Sequence, residues 1–330
     1  MKILVTGCAG FIGFHVSKKL LEEGYEVIGI DNFNDYYDPS LKESRNQILS
    51  KYTNYKLYKG NIQDSKFLDE IFKTHNLDLV CNLAAQAGVR YSVTNPLTYE
   101  ESNSLGFLQV LEAMRRHNVK SLVFASSSSV YGGIKETPFK ESMKIDGPVS
   151  LYAATKAANE LYAHAYSKLY GLNSIGLRFF TVYGPYGRPD MALYGFVKAI
   201  TEGKTIQVYN HGNQKRDFTY IDDIVSGVIA SINAVNSKKV KYEIINLGRG
   251  QPANLMDFIK EIESAVGKEA KKEFLPPQQG DVSKTHADIS KAKTLLNYEP
   301  QTDIKEGISQ FVNWYLNYHK ISKWKKTTKN

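Results

Sequence analysis

Lys2 to Thr6 is a short apolar run that leads into TGCAGFIG, residues 6 to 13, and Phe11 to Glu23 then follows a helical period. No other stretch restricts the fold so tightly. A strand that turns through glycines straight into a helix is the first half of a βαβ unit. It brings the helix's free N–H groups and positive dipole end to the turn, where a phosphate can bind. Glu26 to Ile30 supplies the next strand, and Asp31 closes it about twenty residues past the turn, where a carboxylate meets ribose hydroxyls. Gly7, Gly10, Phe11, Ile12 and Gly13 are read as the dinucleotide turn, with Asp31 and Asn32 at the adenosine ribose. Asp31 repels the extra phosphate of NADP, and Asn32, Phe33 and Asn34 offer no arginine to offset it, so the expected cofactor is NAD.

The pattern then repeats. Tyr55 to Lys59, Asp78 to Leu83, Ser121 to Ala125 and Ser174 to Phe179 read as strands. Helices are expected near 64–74 and 98–117 and over Leu151 to Leu169. Strands alternating with helices predict an α/β fold, a doubly wound parallel Rossmann sheet covered on both faces. After Phe180 the texture changes to Gly184-Pro185, Gly187-Arg188-Pro189 and long polar loops. The expected organisation is a cofactor domain over 1–180 and a smaller α+β substrate domain over 181–330, with Ile244 to Leu247 able to return to the main sheet.

Composition excludes several classes. A chain of 330 residues with 42% hydrophobic and 23% charged residues has ample core, and no run of about eighteen apolar residues would insert in a membrane. Only Ile3 to Gly7 precede Cys8, too short an apolar stretch for export, and Cys8 and Cys81 are too few for a disulfide framework. A cytoplasmic location is expected. Seven scattered histidines with no CxxC or HExxH predict no metal site. The net charge of +8 suggests nucleic acid until it is located: five lysines lie in KISKWKKTTKN, residues 320 to 330, leaving +3 elsewhere. No nucleic-acid partner is expected.

SLYAATK, residues 150 to 156, holds Tyr152 and Lys156 four apart, side by side on a helix. A neighbouring ammonium lowers a phenol's pKa and would let Tyr152 shuttle protons near neutrality. FASSSSVYG, residues 124 to 132, ends the fifth strand in four serines, 25 residues before Tyr152 at Ser127. Strand C-terminal ends are where doubly wound sheets bind ligands.

With TGCAGFIG, NLAAQAG (82–88), SSSSVYG, YAATK and RDFTYIDD (216–223) together, the chain resembles the extended short-chain dehydrogenase/reductases over essentially its whole length. The resemblance implies Tyr152, Lys156 and Ser127 as catalytic. It puts Asn61, Ile62, Leu83, Ala84, Ala85 and Asn103 at the cofactor, with Lys156 also on the nicotinamide ribose. A homodimer through helices 98–117 and 151–169 is likewise implied. Dehydratases of this branch carry an acid in the serine loop, whereas Ser128 and Ser129 stand here, so 4-epimerisation of a UDP-sugar is implied instead. In such an enzyme Tyr152 removes the 4-hydroxyl proton, NAD takes the C4 hydride, and the 4-keto sugar turns over before the hydride returns.

RFFTVYGPYGRPDMA (178–192) and DNFNDYYD (31–38) look like the UDP-glucuronate 4-epimerases, which make UDP-galacturonate. Oxidising C4 of a glucuronate gives a β-keto acid that readily loses carbon dioxide, so its carboxylate must be held. Arg188 can grip it bidentately, Thr181 can add a hydroxyl, and Arg90 is a further candidate. The resemblance assigns Arg216 to the diphosphate, Asp281 to the ribose and Tyr209 to the uracil, with Ser128 beside the sugar. Open alternatives are a 4-epimerase of UDP-galactose or of N-acetylated UDP-sugars, a UDP-glucuronate decarboxylase, and an inactive NAD-sensing regulator. Three positions depart from the family pattern: Asn61 replaces an aspartate, Asn82 a frequent histidine, and Gln278 falls near an arginine of some members.

Overall fold

The structure, a computed structural model, describes residues 1–237, 240–277 and 282–321. Gln278, Asp281 and most of the lysine-rich tail lie outside them. Six strands, β1 (Lys2–Thr6), β2 (Glu26–Asp31), β3 (Tyr55–Lys59), β4 (Leu79–Asn82), β5 (Ser121–Ser127) and β6 (Asn173–Phe179), join Tyr242–Leu247 in one seven-stranded sheet. Its order is Tyr242–Leu247, β6, β5, β4, β1, β2, β3, and every pairing is parallel. The late strand therefore does return, beside β6.

Alternation along each strand feeds two cores. Ile3, Val5, Cys81 and Val123 face helices Phe11–Glu22 and Ile221–Asn236, whereas Leu4, Val80, Leu122 and Phe124 face Ser65–Thr74, Gly106–Arg116 and Leu151–Tyr170. The strand order reverses between β1 and β4, so their C-terminal ends part and leave a crevice. Asn82, which the sequence left unexplained, ties the two strands there: its Oδ1 accepts from Thr6 Oγ1 at 2.7 Å.

Two helical readings change. The helix expected over 98–117 is broken into Pro96–Tyr99, a π-helical Glu100–Leu105 and Gly106–Arg116. The wider turn lets Asn103 reach sideways to Gln86 and Thr155. A helix over Ser40–Leu49 was not expected, because its buried face carries Lys42 and Arg45 beside Leu41 and Leu49.

Beyond Phe180 the described residues build three two-stranded sheets. Thr181–Tyr183 pairs with Phe218–Tyr220, Lys215–Arg216 with Ala253–Asn254, and Thr205–Val208 with Lys271–Phe274. Asp217, fully buried, knots this region by accepting from the backbone N–H groups of Arg249, Gly250 and Ala287 at 2.7–3.0 Å. Among the described residues no helix is long and apolar enough to cross a membrane.

Candidate active site

The crevice opens into one cleft that runs from the glycine turn, along the ends of β2, β4 and β5, to the loop after Thr181–Tyr183. The glycine turn fits a dinucleotide. Helix Phe11–Glu22 begins with no side chain on its first N–H groups, leaving them for a phosphate. A Cβ at Gly13 would stand 2.0 Å from the Gly7 carbonyl oxygen, so only glycine lets the helix start this close to the strand. Asp31 ends β2 at the rim, accepting from Ala9 N at 3.0 Å and Phe33 N at 2.9 Å. Asn61 is there too, but its amide oxygen accepts from Asn32 Nδ2 at 2.8 Å.

Helix Leu151–Tyr170 starts at the cleft because Ser150 caps it, its Oγ accepting from Ala153 N at 3.1 Å. Tyr152 thereby stands in the first turn and Lys156 one turn deeper. The Ser127 hydroxyl at the end of β5 is near enough to the Tyr152 phenol to bear on its pKa, and it accepts from Ser129 N and Oγ at 3.2 and 2.9 Å. Burial pushes the phenol above its usual value, and Ser127 and the Arg188 charge each pull it part of the way back. The expected acidified phenol is thus not what this structure holds. Lys156 donates instead to the Ala125 carbonyl at 2.9 Å, and burial lowers its ammonium to about 8.

Most sequence-derived site residues meet here. Gly7, Gly10, Phe11, Ile12, Gly13, Asp31, Asn32, Asn61, Ile62, Leu83, Ala84 and Ala85 line one end; Ser127, Ser128, Tyr152, Lys156, Thr181, Arg188 and Arg216 line the other. Three do not. Asn103 sits one layer back, accepting from Gln86 N at 2.8 Å and donating to Gln86 O and Thr155 Oγ1 at 3.0 and 3.1 Å. It brackets the 84–88 loop to the Tyr152 helix and does not line the cleft. Arg90 and Tyr209 are not among the lining residues and stack on each other, guanidinium over ring at 5.1 Å. Residues missed from the sequence include Tyr36, Lys42, Gln86 and Thr285, all on the lining. Lys42 is 5% exposed, donates to the Asn34 carbonyl at 2.8 Å and is near enough to Asp31 for the carboxylate to bear on its ammonium. Its lysine in a polar helix gave no periodic signal.

A doubly wound sheet with this turn, this carboxylate and this tyrosine–lysine helix at its switch point defines a dinucleotide-binding Rossmann protein. The chain belongs to the NAD dependent epimerase/dehydratase family, which it matches over residues 3–248. It is 50% identical over 312 residues to a UDP-glucuronate 4-epimerase of Thermodesulfobacterium geofontis (strain OPF15), covering 94% of this chain and 95% of that one. To UDP-glucuronate 4-epimerase 4 of Arabidopsis thaliana it is 47% identical over 331 residues, covering 96% and 76% of the two chains. Its fold superposes with a TM-score of 0.89 on the crystal structure of UDP-glucuronic acid 4-epimerase from Bacillus cereus in complex with UDP-glucuronic acid and NAD. That match is 37% identical and covers 96% of this chain and all of the other.

Proposed function

We propose that the chain is an NAD-dependent UDP-glucuronate 4-epimerase, interconverting UDP-glucuronate and UDP-galacturonate. The observation that carries this reading is local. Ser127, Tyr152 and Arg188 converge on one end of the cleft, close enough that the guanidinium charge bears on the phenol. NAD, when bound, takes the C4 hydrogen as hydride and returns it. Gly7, Gly10 and Gly13 with the first turn of the helix would hold its pyrophosphate, Asp31 its adenosine ribose and Lys156 its nicotinamide ribose.

Tyr152 is the proton carrier at the sugar's 4-oxygen, and Ser127 orients that oxygen by hydrogen bonding. Burial raises the phenol and the Arg188 charge lowers it, so Arg188 works toward the phenolate. Arg188 and Thr181 hold the uronate carboxylate so that its bond to C5 stays out of line with the C4 carbonyl π system. Residues 1–180 form the cofactor side, and the region from 181 onward supplies the substrate side through Thr181, Arg188 and Arg216.

Apolar side chains left exposed on two helices support a homodimer: Leu105 and Leu108 about Gly106–Arg116, and Leu161 and Leu169 on Leu151–Tyr170. Cys8 and Cys81, both buried and unpaired, are compatible with a reducing cytoplasm.

The test is NMR of UDP-glucuronate incubated with the purified protein. UDP-galacturonate is expected, and Tyr152→Phe is expected to lose about a thousandfold or more of that turnover. UDP-pentose and carbon dioxide as the main products would overturn the reading.

A further inference from the structure

Arg188 does not stand alone in its loop. Its Nε donates to Asp190 Oδ1 at 2.9 Å and its Nη2 to Asp190 Oδ2 at 2.5 Å, a two-point pair along the side edge of the guanidinium. The Tyr36 hydroxyl donates to the same Oδ2 at 3.1 Å. Tyr36 in turn packs on Tyr91, ring centres 4.8 Å apart, and a Cβ at Gly88 would lie 2.8 Å from its hydroxyl oxygen. The chain of contacts therefore runs from the 88–91 loop through Tyr36 to Asp190 and Arg188. Arg188 and Tyr36 line the cleft, whereas Asp190 is not among its lining residues. Burial alone would raise the Asp190 carboxyl, but the Arg188 charge and hydrogen bonds outweigh it and keep the anion.

A guanidinium has five donors arranged along more than one edge. Pairing along Nε and Nη2 leaves Nη1 and the outer Nη2 hydrogen, and Nη1 meets no acceptor among the described residues. We propose that Asp190, fixed by Tyr36, is a positioning residue that presents this outer edge of Arg188 to the carboxylate of the uronate substrate. The inference rests on the carboxylate role given to Arg188 above.

The chemistry gives the arrangement its purpose. A free arginine on a Gly187–Pro189 loop would sample many rotamers, and a carboxylate gripped by it would swing with it. Swinging would bring the C5–carboxylate bond parallel to the C4 carbonyl π orbitals, the geometry in which a β-keto acid loses carbon dioxide. Clamping one edge of the guanidinium fixes the direction of the other. A different arrangement, in which Asp190 is a stand-in that substrate must displace, would place the carboxylate in the cleft and leave it without an anchor such as Tyr36. Neither feature is present.

Two measurements on Asp190→Asn and Tyr36→Phe test this, beside the unaltered protein. Calorimetry compares the binding of UDP-glucuronate with that of UDP-glucose, which lacks the carboxylate. NMR follows the share of turnover diverted to UDP-pentose. Asp190→Asn is expected to weaken UDP-glucuronate about tenfold, the loss of roughly one charge-assisted hydrogen bond, and UDP-glucose by less than about twofold. The pentose share is expected to rise, and Tyr36→Phe to move both quantities the same way by less. UDP-glucuronate bound equally or more tightly by Asp190→Asn would overturn the proposal, the tighter case marking Asp190 as a competitor. Equal losses for both ligands would also overturn it, since a merely structural role would give that. If the unaltered protein fails to epimerise UDP-glucuronate, the function itself is wrong; if it succeeds and the variants match it, the positioning role alone falls.

Discussion

Lys156 is 2% exposed, and its ammonium finds the Ala125 carbonyl as its acceptor. Burying a charge on those terms is costly, and burial accordingly lowers the group to about 8 from 10.5. The sign of the stability effect follows. Between pH 8 and 10.5 the unfolded chain holds a proton that the folded one has released, so folding gains as pH rises through that window. Below pH 8 both states are protonated and the burial penalty is present in full. Lys156→Met is therefore expected to be more stable than the unaltered protein at pH 7, with an advantage that shrinks toward pH 10, while epimerisation falls sharply. Denaturant melts at the two pH values measure it; an advantage that stays constant would show that the ammonium is not strained by burial. A stability gain coupled to lost turnover would mark Lys156 as a residue kept for chemistry.

Helix Leu151–Tyr170 is held to the sheet by a buried ion pair. Arg178 of β6 donates through Nε and Nη2 to Glu160 at 2.9 and 2.7 Å, with both side chains 4% exposed, and Ser126 adds a bond to Glu160 at 2.5 Å. Removing one partner leaves the other charged and unsolvated. Glu160→Ala is expected to cost about 3–5 kcal/mol of unfolding free energy, while Glu160→Leu combined with Arg178→Met costs clearly less. Chemical denaturation of both would show it, and equal losses would contradict the buried-charge account. Sequence patterns reveal this element well, since YAATK lies on a helix with apolar spacing. They reveal Ser40–Leu49 poorly, because a periodicity search looks for apolar residues where Lys42 and fully buried Arg45 serve. Arg45 donates to Ala9 O at 2.8 Å and, 141 positions away, to Tyr186 O at 2.6 Å, tying the glycine turn to the substrate loop. No local window contains both ends of such a tie. The same limit hid the Asp190 clamp and the stacking of Arg90 on Tyr209, whose partners are brought together by loop packing; the glycine turn and strand ends were legible because their constraints lie within a few residues.

At the scale of the whole chain, the sheet buries its two faces and the C-terminal region covers one end, yet two neighbouring helices keep apolar side chains in water. Leu161 is 68% and Leu169 70% exposed on Leu151–Tyr170, and Leu105 and Leu108 are also open on the helical segment that packs against it. Covering a fully exposed leucine gains about 1.5–3 kcal/mol and a partly covered one proportionately less, and two copies meeting through this face would cover each leucine in both copies. The interface would also stiffen the helix that carries Tyr152 and Lys156 without touching the cleft. Light scattering is expected to give a mass near twice 37.2 kDa for the unaltered protein. Leu161→Asp would put a carboxylate into the middle of that contact, where it has no partner, and is expected to give a monomer that keeps bound NAD but turns over more slowly. An unaltered protein that runs as a monomer, or a Leu161→Asp variant that stays dimeric, would mean that these leucines are exposed for another reason and that the Tyr152 helix owes its rigidity to Glu160 and Arg178 alone.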